Sequence, residues 1–122
     1  MGYNILVADD SSFMRTMLSK MFENISGVGE IRQAVNGKEA LEMYKKKRPD
    51  LVTMDVDMPE MNGLDVAREI KSFDPKAKIA MVTSSDKTHT REESEKIGAC
   101  GYITKPFERT QIQELIINLS KQ

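Results

Sequence analysis

A chain of 122 residues, 39% hydrophobic and 30% charged, has the size and balance of one globular domain with a core of its own. Its 18 Lys and Arg against 19 Asp and Glu leave a net charge of -1, which gives no reason to expect nucleic-acid binding, since that needs a concentrated basic face. A lone cysteine excludes an internal disulfide, and no apolar stretch approaches the roughly 20 residues of a membrane span.

The first apolar run, Ile5-Leu6-Val7-Ala8, follows an N-terminus without a signal-peptide pattern and closes on two acids, Asp9 and Asp10. A reducing, cytoplasmic setting is therefore expected. Phe13, Met14, Met17, Leu18, Met21, Phe22 and Ile25 then recur at helical spacing, with Ser11 or Ser12 as candidate N-cap. Gly27-Val28-Gly29 breaks that pattern, and residues Ile31 to Val35 read as a second strand. Asn36-Gly37 turns the chain into a helix carrying Ala40, Leu41 and Tyr44, which Pro49 stops. The basic run Lys45-Lys46-Lys47-Arg48 lies at the end of this helix, where cations complement the helix dipole.

The third strand, Leu51-Val52-Thr53-Met54, ends at Asp55. The loop Met58-Pro59-Glu60-Met61-Asn62-Gly63 leads to a helix with Leu64, Ala67 and Ile70 on one face. After Asp74-Pro75 the fourth strand, Ile79-Ala80-Met81-Val82, ends at Thr83. The segment from Thr88 to Ile97 has helical character but almost nothing apolar to bury, so it is expected to be exposed and the most loosely anchored helix. His89 within it is expected in solvent, and Cys100 is expected as a small packed side chain. The fifth strand, Gly101-Tyr102-Ile103-Thr104, precedes Lys105, and Ile112, Leu115, Ile116 and Leu119 mark an amphipathic last helix.

Short apolar strands alternating with helices predict an α/β fold, a doubly wound parallel sheet of five strands with five helices on its two faces. In such a sheet ligands bind at the edge where the strand ends converge. Asp9, Asp10, Asp55, Thr83 and Lys105 all lie just past strand ends and are expected to gather there. Three carboxylates opposed by one amine repel one another unless a cation intervenes. A hard divalent ion resolves the conflict, and Mg²⁺ suits a site with few protein ligands. The expected ligands are Asp10, Asp55 and the backbone carbonyl of Asp57, with Asp9 acting partly through water. A carboxylate oxygen of Asp55 is then free to attack phosphorus, with Lys105 and Thr83 set to meet the phosphoryl oxygens.

Each residue alone admits a plainer reading. Asp9 and Asp10 could cap the first helix, Asp55 could end a strand, and Lys105 could be a surface lysine. Asp57 could affect water access to the site or merely lend its carbonyl. Only their coincidence on one edge favours the site.

Asp9-Asp10-Ser11, Asp55 with Met58-Pro59 and Met61-Asn62-Gly63, Thr83-Ser84, Tyr102, and Lys105-Pro106-Phe107 together resemble the motifs of response-regulator receiver domains. The resemblance spans essentially the whole chain and is strongest to the single-domain, CheY-like chemotaxis members. It implies the flavodoxin-like strand order 2-1-3-4-5 and one receiver domain over residues 1-122 without an output domain. It implies Asp55 as phosphoacceptor, Mg²⁺ held at Asp9 and Asp10, and Thr83 and Lys105 as switch hydroxyl and phosphate-pairing amine. Tyr102 corresponds to an aromatic that moves inward with the threonine, a plain core tyrosine being the alternative, and the Lys105 to Pro106 bond is cis in similar proteins.

The expected role is a monomeric signalling switch rather than an enzyme on outside substrates. Its implied partners are a CheA-like histidine kinase, a flagellar motor switch or other downstream protein, and a phosphatase. Three competing readings remain open: a phosphorelay carrier, a receiver cut from a DNA-binding regulator, and an aspartate-nucleophile phosphatase, against which the short chain argues. The polar segment Thr88 to Ile97 departs from the family pattern on the face that carries output.

Overall fold

The structure is a computed structural model and describes residues 2–85 and 87–121. Its elements run β1 (Tyr3–Ala8), α1 (Ser12–Glu23), β2 (Val28–Ala34), α2 (Gly37–Lys46), β3 (Leu51–Met54), α3 (Gly63–Phe73), β4 (Ile79–Thr83), α4 (Thr88–Ile97), β5 (Gly101–Thr104) and α5 (Arg109–Ser120). Among the described residues the strands form one parallel sheet in the order β2-β1-β3-β4-β5, as the motifs imply. The order reverses direction beside β1, so β1 and β3 lie side by side with helices leaving on opposite faces. That switch point is where an open α/β sheet forms its crevice.

Strand alternation divides the core into two layers. Leu6, Ala8, Val52, Met54, Ile79 and Met81 face α2 and α3, where they meet Ala40, Tyr44, Leu64, Val66, Ala67 and Ile70. Ile5, Val7, Leu51, Ala80 and Val82 face the other way, onto Leu18 and Phe22 of α1 and Ile112, Leu115 and Ile116 of α5. Each Val, Leu, Ile, Phe or Met among them, fully buried, stabilises the fold by about 1.5–3 kcal/mol. The two layers clamp β1, β3 and β4 on both faces, which fixes the strand ends that carry the site.

Local signals start the helices. Ser11, of the two candidates, caps α1 and accepts from Met14 N at 3.2 Å. Asn36 caps α2, accepting from Glu39 N at 2.8 Å, and Asn62 caps α3, accepting from Leu64 N at 2.7 Å. Each satisfies an N–H that the helix itself leaves unpaired. Gly98 ends α4 with φ 93°, the left-handed conformation that glycine adopts without strain.

Two expectations need correction. The second strand is Val28–Ala34, so Val28 and Gly29 belong to the strand rather than to a break. There the backbones of β1 and β2 come close: a Cβ at Gly2 would meet Gly29 N and Gly27 O. Cys100 is exposed, not packed, although desolvation raises its thiol pKa. Helix α4 is mostly exposed and buries fewer residues than any other helix, as expected. It buries Thr90 and Ser94, four residues apart, and Arg68 of α3 pairs with its Glu93 at 2.8 Å. Ser94 Oγ donates to Arg91 O at 2.7 Å, so the hydroxyl is satisfied within the helix and the small side chain can pack. His89 is exposed, as expected.

Candidate functional site

The ends of β1 and β3 lie in register, Ala8 opposite Met54, so the residues that follow them emerge together. Asp9, Asp10 and Asp55 each present a carboxylate oxygen, all within 4.8 Å of one another. Asp9 and Asp55 are buried, and Asp10 is exposed. Thr83 is fully buried at the end of β4, and its hydroxyl favours the charged form of Asp55. Lys105, one residue past β5, sets its Nζ 2.7 Å from Asp9 Oδ2 and 3.5 Å from Asp55 Oδ2. The Lys105-Pro106 bond is cis. The five side chains singled out by their positions after strands are thus brought into one cleft.

Burial is the largest influence on Asp55 and pushes its carboxyl pKa up from the ordinary 3.8. Lys105 opposes that shift, Asp9 adds to it, and hydrogen bonds from Thr83 and from the Asp57 N–H again oppose it. The Asp57 N–H reaches Asp55 Oδ1 at 3.3 Å, while the Asp57 side chain is exposed. Asp55 therefore carries a charge that its own surroundings only partly balance. The donors available are all carboxylate oxygens of a hard type, clustered tightly and partly open to solvent. That set fits a hard divalent cation such as Mg²⁺, which accepts oxygen ligands and retains several waters.

Other side chains build the cleft without entering its chemistry. Arg15 Nη1 donates to the Asp9 carbonyl at 2.8 Å and ties α1 to the acidic loop. Gly63 N donates to Val56 O at 2.9 Å, and a Cβ at Gly63 would collide with the Asp55 carbonyl oxygen. Only glycine lets the start of α3 approach Asp55 so closely. Glu60, at φ 69°, bends the intervening loop, and Met61 N donates to Pro59 O at 2.7 Å. Position-by-position reading of strand ends missed Arg15 and the role of Gly63. For Gly63 a usable signal was its place directly after the capping Asn62.

Tyr102 lies outside the acidic cluster. Its ring is half-buried on the α3–α4 side, and its hydroxyl donates to Ser85 O at 2.5 Å. Ser85 N in turn donates to Thr83 Oγ1 at 3.2 Å. Thr83 and Tyr102 are therefore joined through one residue of the β4–α4 loop.

Known proteins are similar to this chain in sequence and fold. Residues 5–117 match the response regulator receiver domain family. The chemotaxis protein CheY of Thermotoga maritima is 41% identical over 121 residues, covering 99% of this chain and 100% of that protein. CheY of Halobacterium salinarum is 42% identical over 116 residues, 95% of each chain. A chain in the CheX-CheY-BeF3-Mg²⁺ complex of Borrelia burgdorferi superimposes with a TM-score of 0.89 at 30% identity, covering 97% of this chain and 89% of that one. Among the described residues no helix is long and apolar enough to cross a membrane. The chain belongs to the response regulator receiver domain family and is of the CheY type, a class of signalling switches in two-component systems.

Proposed function

We propose that Asp55 accepts a phosphoryl group from a histidine kinase in a Mg²⁺-dependent reaction, and that the resulting acyl phosphate changes the affinity of the protein for a downstream partner. The observation that carries this reading is the buried Asp55 carboxylate, flanked by two further acids and a single lysine.

In the proposed step a carboxylate oxygen of Asp55 attacks the phosphorus of a phosphohistidine. The new O–P bond forms as the P–N bond breaks, and the electron pair leaves with the imidazole, which takes up a proton. Asp10, Asp55 and the carbonyl of Asp57 would hold Mg²⁺, with Asp9 acting partly through water. When bound, the ion neutralises charge on the transferring group. Lys105 already lies beside Asp55 and can pair with a phosphoryl oxygen once Asp9 has another cation to face. The Thr83 hydroxyl can turn from Asp55 toward that oxygen as donor. Positioning and charge neutralisation are what phosphoryl transfer chiefly needs.

Turning Thr83 removes the acceptor of the Ser85 N–H and disturbs the loop that also holds the Tyr102 hydroxyl. In this reading Tyr102 is the switch aromatic, and its setting biases the face formed by α4, β5 and α5. A partner that binds one setting better draws the population toward it. The CheY relatives support chemotaxis as the pathway; in this reading a CheA-like kinase is the donor and a flagellar motor switch the target. The Borrelia relative is found in complex with CheX, which supports binding of a third kind of protein at such a domain. Residues 1–122 act as one receiver unit.

Acetyl phosphate with Mg²⁺ tests the chemistry. Intact-mass measurement should show a gain of one phosphoryl group on the native protein, absent without Mg²⁺ and absent in Asp55→Asn. An equal gain in Asp55→Asn would place the chemistry elsewhere and sink the assignment.

A further inference from the structure

One contact that ties Tyr102 to α4 is a cation above its ring. The Arg91 guanidinium carbon lies 4.6 Å from the ring centroid of Tyr102, within the range of a cation–π attraction. Arg91 follows Thr90, whose buried hydroxyl lies 3.4 Å from Ser85 Oγ. Ser85 accepts from the Tyr102 hydroxyl with its carbonyl and donates to Thr83 with its N–H. Two neighbouring residues at the start of α4 therefore meet both ends of this linkage, Thr90 at Ser85 and Arg91 at the tyrosine ring.

This matters because α4 has little apolar surface with which to hold its place. It buries Thr90 and Ser94, packs Ile97 partly against the core, and pairs Glu93 with Arg68. Where packing is this sparse, one oriented cation–ring contact is a sizeable share of what sets the helix against β5. Arginine suits this position, because its planar guanidinium stacks on an aromatic face and is more weakly hydrated than an ammonium.

We propose that Arg91 is a positioning residue for Tyr102. Its guanidinium favours the ring setting in which the hydroxyl meets the Ser85 carbonyl, and so couples that setting to α4. The proposal rests on the reading of Tyr102 as the switch aromatic. It also explains why a polar α4 serves in this chain, since the helix is held to the switch by charge and hydrogen bonds rather than by aliphatic packing.

The test is ¹⁹F NMR of protein carrying 3-fluorotyrosine, with Tyr102→Phe assigning the Tyr102 signal. Arg91→Ala should shift the balance of ring settings at Tyr102 about two- to fivefold, seen as a moved or split signal. The Tyr3 and Tyr44 signals should stay, reporting an intact fold. Arg91→Lys, which keeps the cation, should restore the native signal at least in part. Arg91→Met, which keeps length and apolar contact without charge, should not. An unmoved Tyr102 signal in Arg91→Ala, or full restoration by methionine, overturns the proposal. Beryllofluoride with Mg²⁺ separates this from the reading beneath it: if that addition leaves the native Tyr102 signal unmoved, the switch role of Tyr102 fails, whatever Arg91 does.

Discussion

Asp55 and Asp74 lie at opposite ends of the same sheet and are pushed in opposite directions. At the site end, burial raises the Asp55 pKa, and the groups that counter it only partly succeed. At the other end, Asp74 caps α3 and accepts from the Tyr44 hydroxyl at 2.7 Å, which lowers its pKa below the ordinary 3.8. The Lys76 N–H at 3.2 Å and Arg48 at 3.4 Å also favour its charge. Tyr44 is correspondingly raised, by burial first and then by Asp74, and so remains a neutral donor. One carboxylate is satisfied by the fold that surrounds it. The other is held short of cations, and in the proposed reading an arriving ion or phosphoryl group settles that charge. That difference separates a structural acid from a chemical one.

The comparison breaks most visibly if a divalent cation is supplied. Mg²⁺ at one hundred times its dissociation constant should stabilise the folded state by about 2.7 kcal/mol. Asp10→Asn removes one oxygen of the cluster and should weaken the binding; the midpoint of a Mg²⁺ titration followed by thermal melting measures it. A rise in melting temperature that is equal in both proteins would mean that the ion sits elsewhere.

At the satisfied end, Tyr44→Phe deletes the donor to a charged acceptor and should destabilise by about 1.5–3 kcal/mol in urea melts. The pH sign follows from the direction of the shift. Asp74 has a folded pKa below its unfolded one, so its contribution is full above the unfolded value and is lost as pH falls through the folded value. The Tyr44→Phe deficit should therefore shrink in acid.

Asp55→Asn should act in the opposite sense. In metal-free buffer it relieves a poorly balanced charge and should stabilise by about 0.5–2 kcal/mol at neutral pH. Because the folded Asp55 pKa is raised, the penalty is full above that raised value. It is relieved as pH falls toward the unfolded value, so the advantage of asparagine fades in acid. Destabilisation at neutral pH would mean that Lys105 and Thr83 balance the charge after all.

Much of this was legible in the chain because strand ends carry the chemistry. Apolar runs ending at Asp9, Asp55 and Thr83 gave the strands, and the parallel topology brought those ends together. Less visible were features that depend on neighbours distant in sequence. Gly29 reads as a turn residue, yet it sits in an edge strand because Gly2 crosses close beside it. Thr90 and Ser94 do not register in an apolar pattern, yet both are buried, since small hydroxyl side chains can pack once bonded locally. Arg91 reads as an ordinary surface charge until Tyr102 is found beneath it. Gly63 is marked in the sequence only by its place after Asn62, and that a Cβ would strike the Asp55 carbonyl depends on a neighbour distant in sequence. Local pattern gives the elements, whereas contacts between elements decide which polar residues do more than face water.

The smallest effect asks which neighbour of Asp74 matters. Arg48 is paired with it at 3.4 Å, but the arginine side chain is 55% exposed. Such a pair contributes about 0.2–1 kcal/mol, and its contact with the Phe73 ring at 4.9 Å adds a comparable amount at most. Arg48→Ala should therefore destabilise less than Tyr44→Phe does. Salt sharpens the distinction, because the Debye length falls to roughly 3 Å at 1 M and screens the exposed ion pair, while the short Tyr44 hydrogen bond is screened little. Urea melts at low and high salt should show the Arg48→Ala deficit shrinking and the Tyr44→Phe deficit holding. If both deficits shrink alike, Asp74 is held by the general field of its basic neighbours, and the tyrosine loses the role that sets this end of the sheet apart from the site.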